Sequence, residues 1–167
     1  MITHNFLRAD RSEVTPAQMI NIITEYILQD TMAPYEFTVG TDSQNFDKTK
    51  IVEVIAVHRL GRGGIFFTYT EFIDKIDILN VKIVEETQRS LANAEGLVDE
   101  LDLALMEHDI DINDLDIRFQ IHCDIGTNGK TSMLIKEITN WVTSLGYTCC
   151  IKPESYAASG IANKYSK

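Results

Sequence analysis

What most constrains the fold of this chain is a change of hydrophobic period. From Glu36 to Ile73 apolar and polar residues alternate in three runs, EFTVGTDSQ, KIVEVIAVHRL and GIFFTYTEFI. A period of two turns successive side chains to opposite faces and marks β-strands. GRGG, between the second and third runs, supplies the backbone freedom of a hairpin turn. From about Asp77 to His108 the period becomes helical, with Ile83, Thr87, Leu91, Ala94, Val98, Leu101 and Leu105 on one stripe. LDIRFQIHCD then returns to period two. It sets Ile117, Phe119, Ile121 and Cys123 on one face and Arg118, Gln120, His122 and Asp124 on the other.

The flanking segments extend this order. Thr15-Pro16 ahead of AQMINIITEYILQD predicts an N-capped helix, which Ala33-Pro34 breaks. NGKTSMLIKEITNWVTSLG predicts a second helix closed by Gly146, YTCCIKP a short last strand, and ESYAASGIANKYSK a terminal helix with small residues on one face. Three strands in a meander followed by βα units predict an α/β fold. It is a mixed five-stranded sheet with helices on both faces, plus an N-terminal helix, and the order matches the ribonuclease H-like fold. At 167 residues the expectation is one domain spanning 1–167, with residues 1–33 as an N-terminal helical extension.

Charge and cysteine usage narrow the function classes. A net charge of −10 argues against non-specific adhesion to nucleic acid. That charge is uneven: residues 95–116 carry nine acids and no Lys or Arg, whereas from Gly126 onward five lysines face Glu137 and Glu154. The acidic run reads as a solvated face, and the basic C-terminal third as a weak pointer to a phosphate-bearing substrate. No apolar run approaches the roughly 20 residues of a membrane span, and MITHNFLRADRSEV has no apolar core of a signal peptide. The expectation is therefore a cytoplasmic protein with no membrane partner. Cys123, Cys149 and Cys150 lie in strand-like runs without CxxC spacing, which predicts buried reduced thiols.

GTNGKT at 126–131 resembles a phosphate-cradling loop at a strand-to-helix turn. The full pattern requires Gly at position 124, where this chain has Asp124, whose charge repels phosphate. No Asp follows Lys130 to hold magnesium on a later strand. The segment is better read as a helix-starting turn, and no nucleotide cofactor is expected at 126–131.

The carboxylates form a stronger pattern. Asp42 stands at the far end of the first long strand and Asp124 at the end of the fourth. In a ribonuclease H arrangement these strands are parallel neighbours, and ligands of such sheets bind beyond their carboxyl ends. Two adjacent acids repel, a cost that a divalent cation removes. Glu86 lies about 100° from the centre of the apolar stripe of the long helix and Glu85 about 160°, so Glu86 is the better third ligand. Each acid also has a plainer reading: a turn residue for Asp42, a helix-capping acid for Asp124, a surface glutamate for Glu86. His122 is more simply a packed strand histidine than a ligand, and Lys130 and Lys152 more simply solvated lysines than phosphate contacts.

VGTDSQ, EETQRSLANAEGLVDEL, HCDIGTNGKTSMLIKEITNWVTSLGY and KPESYAASGIANKYSK together resemble the YkuK family of predicted ribonuclease H-like proteins. The resemblance covers nearly the whole chain beyond the N-terminal helix. It implies a ribonuclease H-like fold and, by analogy, metal-dependent hydrolysis of phosphodiester bonds with Mg²⁺ or Mn²⁺. Asp42 would stand for the first-strand aspartate, Glu86 for the helix glutamate and Asp124 for the fourth-strand aspartate, these three as metal ligands. Glu154 is the carboxylate available as a fourth catalytic acid; where the family has Asp near ANK, this chain has Asn163, a poorer ligand. The leading function is a two-metal nuclease acting on RNA or DNA. The alternative is a non-catalytic binding or scaffold protein that retains the fold, and the weakest is a nucleotide-binding enzyme.

Overall fold

The structure, a computed structural model, describes residues 1–126 and 132–152. Two short strands, β1 (Phe6–Arg8) and β2 (Glu13–Val14), precede helix α1 (Pro16–Leu28). The long strands β3 (Tyr35–Asn45), β4 (Thr49–Arg59) and β5 (Gly64–Ile73) follow, then helix α2 (Leu79–Met106), β6 (Ile117–His122), α3 (Ile135–Ser144) and β7 (Thr148–Cys150).

Local chemistry explains the boundaries. Thr15 caps α1: its hydroxyl accepts the Gln18 N–H at 3.2 Å, while the Gln18 side-chain oxygen accepts the Thr15 N–H at 2.8 Å, with Pro16 at the first helical position. In the β4–β5 hairpin Gly61 and Gly63 adopt φ +79° and +87°, where a side chain would be strained. Gly146, at φ +92°, ends the chain's turn out of α3 as expected. That helix begins at Ile135, after a 3-10 turn at Ser132–Leu134. Residues 127–131 of GTNGKT, and the terminal helix expected at 154–167, lie outside the described residues.

Among the described residues seven strands form one mixed sheet in the order β2-β1-β5-β4-β3-β6-β7. The meander β3–β4–β5 is antiparallel, and β6 pairs with β3 in parallel from Tyr35↔Ile117 to Gly40↔His122. β7 extends the parallel part through Gln120↔Thr148 to His122↔Cys150. The strand count exceeds the expected five because β1 and β2 add to the β5 edge, with Leu7↔Thr68 and Phe6↔Val14. Strands of three and two residues are too short to display a period.

The core lies between one face of the sheet and α1, α2 and α3. Phe37, Val39, Ile55, Val57, Phe67 and Ile121 meet Met19 and Ile23 of α1, Leu97 and Leu101 of α2, and Val142 of α3. Along α2 the buried residue is Leu97, while Val98 is only half-buried. Val52 and Val54 are buried on the other face of β4 as a separate cluster. Of the three thiols, Cys123 is buried, and Cys149 and Cys150 are half-buried; none is in a disulfide. Among the described residues no helix is long and apolar enough to cross a membrane.

Candidate metal centre

Asp42 does not end its strand. β3 continues to Asn45 because the β4 hairpin carries the antiparallel pairing out to Asn45↔Thr49. The parallel pairing stops earlier, at Gly40↔His122. Asp42 and Asp124 each stand two residues past that pair, so both acids flank the carboxyl edge of the parallel β3–β6 ladder. Glu86 reaches the same region from the third turn of α2 and is 6 % exposed. The outward-facing alternative, Glu85, is an ion-pair partner of Arg89 at 3.6 Å.

The carboxylates act on one another. Burial, and then the charge of Asp124, raise the Asp42 pKa to about 6. Burial raises Glu86 to about 8; the Ser43 hydroxyl opposes this, and Asp42 and Asp124 add to it. Two cations temper the cluster. Lys82 and Lys152 both favour ionised Asp42, and the Lys152 ammonium lies 2.9 Å from Asp124 Oδ1. That contact has ion-pair distance without hydrogen-bond geometry, so Asp124 Oδ1, a buried atom, accepts no hydrogen bond among the described residues. Lys152 is held charged by this pairing first, with Asp42 and Glu86 contributing.

Neighbouring polar groups fix the helix against the strand. Ser43 Oγ donates to Glu86 Oε2, and the Thr41 and Ser90 hydroxyls share a hydrogen bond of 2.8 Å. Thr41 and Ser43 therefore face α2, and strand alternation turns Asp42, between them, the other way. With Glu86 engaged by Ser43 and Asp124 by Lys152, no three His, Cys, Asp or Glu among the described residues are already gathered around one point suited to an ion. The donor chemistry is nonetheless that of a hard divalent cation's ligands: three carboxylates, two of them held above their ordinary pKa.

His122 is 2 % exposed, its Nε2 lies 3.3 Å from Gln120 Oε1, and burial lowers its pKa to about 4. It is a neutral, packed strand histidine. Glu154 and Asn163 lie outside the described residues, as do 127–131 of GTNGKT.

The sequence reading missed a second polar cluster beside this one. Glu53, 2 % exposed on β4, accepts from Asn93 at 2.7 Å and Arg89 at 2.9 Å and meets His4 Nε2 at 3.1 Å. Arg89 also donates to Glu71 at 2.8 Å, and His4 stacks on Tyr69 with centroids 3.7 Å apart. The signal was present: Glu53 alternates with Ile51, Ile55 and Val57 on the core face of β4, where an unpaired acid is costly.

Comparison with known proteins supplies an independent line. The family model described as "Ribonuclease H-like" matches residues 18–167. The chain is 32 % identical over 173 aligned residues to "Uncharacterized protein YkuK" of Bacillus subtilis (strain 168), covering 97 % of this chain and 96 % of that protein. No solved structure matches the chain significantly.

Proposed function

Because the chain belongs to the ribonuclease H-like family, we propose that it is a metal-dependent nuclease whose Asp42, Glu86 and Asp124 bind Mg²⁺ or Mn²⁺. The observation that carries this reading is the electrostatic coupling of three carboxylates, from within β3, from the segment after β6 and from α2, at one edge of a parallel strand pair. Cations held there by Asp42, Glu86 and Asp124 would supply the electrostatic chemistry of phosphodiester hydrolysis.

The chain's own groups prepare that site. With a pKa of about 8, Glu86 holds a proton at neutral pH in the absence of a cation, and that proton leaves when a cation binds. Ser43 donates to the Glu86 carboxyl and fixes its direction. Asp42, with a pKa of about 6, is mostly ionised at neutral pH and ready to bind. Glu154 is the candidate for a fourth acid.

A non-catalytic binding or scaffold protein that retains the fold is the second reading. The net charge of −10 and Asn163, an amide where an acid would bind a hard cation better, favour it. The two separate in a nuclease assay on labelled single- and double-stranded RNA and DNA with Mn²⁺, Mg²⁺ or EDTA. The nuclease reading expects metal-dependent cleavage of at least one substrate, lost on Asp42→Asn with the fold intact. Intact substrate under every condition rejects it.

A further inference from the structure

We infer that Lys152 is the built-in counter-cation of the carboxylate cluster, and that a divalent ion binds there by displacing its ammonium from Asp124. The inference rests on the metal-site reading above. The position of Lys152 is set by the backbone. The Cys123 N–H donates to Cys150 O and the Lys152 N–H to Ile125 O, both at 2.8 Å, so the chain leaving β7 stays zipped to the chain leaving β6. That zipper delivers the lysine stem to the acid that follows β6, where Nζ sits 2.9 Å from Asp124 Oδ1.

The contact is suited to exchange. The contact is open from the lysine side: that side chain is 54 % exposed, whereas the aspartate is 26 % exposed and the oxygen it offers is buried. A half-exposed monovalent ammonium on a flexible stem offsets part of the repulsion among Asp42, Glu86 and Asp124. A divalent ion places twice the charge among the same oxygens and binds several of them at once. Lys152 and the metal therefore compete for Asp124, and the lysine sets the metal concentration at which the site fills.

The test is Mn²⁺ binding to the full-length chain, read by the electron paramagnetic resonance of free Mn²⁺ at low ionic strength, in the parent, Lys152→Gln and Lys152→Arg. With the competitor removed, Lys152→Gln should bind Mn²⁺ about fivefold more tightly than the parent, whereas Lys152→Arg should bind no more tightly. The gap between parent and Lys152→Gln should narrow in high salt, because screening weakens the ammonium's hold. Circular dichroism checks that the variants fold. Equal or weaker binding by a folded Lys152→Gln overturns the displacement and leaves the metal site standing. No Mn²⁺ binding by the parent or by Lys152→Gln overturns both.

Discussion

Glu86 shows how much one residue's surroundings decide. Its carboxyl accepts from Ser43 and feels the charges of Asp42, Asp124 and Lys82, and burial dominates, raising the pKa from the ordinary 4.5 to about 8. A raised carboxyl pKa means that the folded state holds a proton the unfolded chain has released. Stability from this group is thus present at low pH and lost as pH rises from about 4.5 through about 8. Asp42 acts in the same sense between its ordinary 3.8 and about 6. His122, depressed to about 4, acts oppositely, costing stability as pH falls below its ordinary 6.5. Above pH 6.5, then, Glu86 dominates among these groups. In EDTA the parent should lose stability between pH 6.5 and 8.5, and Glu86→Gln should flatten that slope and be more stable at pH 8 by about 1–3 kcal/mol. Urea denaturation at several pH values measures both, and a parent whose stability is flat over that range contradicts the prediction. That Glu86 is more buried than Glu85 was legible in the sequence because helical spacing alone fixes the angle to the apolar stripe. The hydroxyl partner was not: Ser43 lies 43 positions away, and nothing local in TDSQN marks it as the group that meets the helix.

At the scale of elements, α2 is fastened to the sheet by a row of polar contacts as well as by its apolar stripe. Glu86 meets Ser43, Ser90 meets Thr41, and Arg89 and Asn93 meet Glu53. Because the sheet holds Glu53 at 2 % exposure, removing its cation leaves a buried charge with weaker partners. Arg89→Met should cost about 3 kcal/mol in urea unfolding, while Glu53→Met combined with Arg89→Met should recover most of the loss. Equal costs in the single and double variants would show that the pair acts through packing alone. The helix start is a milder case: Thr15→Ala removes the hydroxyl half of a capping box and should cost about 1 kcal/mol. These elements were largely legible, since long β3, β4, β5 and α2 each span enough residues to display a period. The discrepancies are equally physical. β1 and β2 exist because Phe6 and Val14 bury side chains beside β5, a tertiary gain that no local pattern announces. β3 overruns Asp42 because the hairpin partner, and not the acid, decides where pairing ends.

For the whole molecule the decisive quantity is the coupling between cation binding and folding. The carboxylates come from β3, α2 and the segment after β6, so an unfolded chain cannot present them together, and a cation that holds them binds the folded state alone. Stability then rises by RT ln(1 + [L]/Kd), about 2.7 kcal/mol at a hundred times Kd. The parent should melt several degrees higher in millimolar Mn²⁺ than in EDTA, and Asp42→Asn and Asp124→Asn should each remove most of that difference. The shift should also grow with pH between 6.5 and 8, because the Glu86 proton that opposes binding is progressively lost. Mg-ATP should add nothing beyond Mg²⁺ alone, and Lys130→Ala should leave that result unchanged, since Asp124 occupies the glycine position of the phosphate-loop pattern and repels the nucleotide. A nucleotide-specific rise in the parent that Lys130→Ala abolishes would reassign GTNGKT as the ligand site. A parent that ignores Mn²⁺ at every pH would mean that the three acids are held by Ser43, Lys152 and their protons alone, and the family's fold would then serve binding instead of hydrolysis.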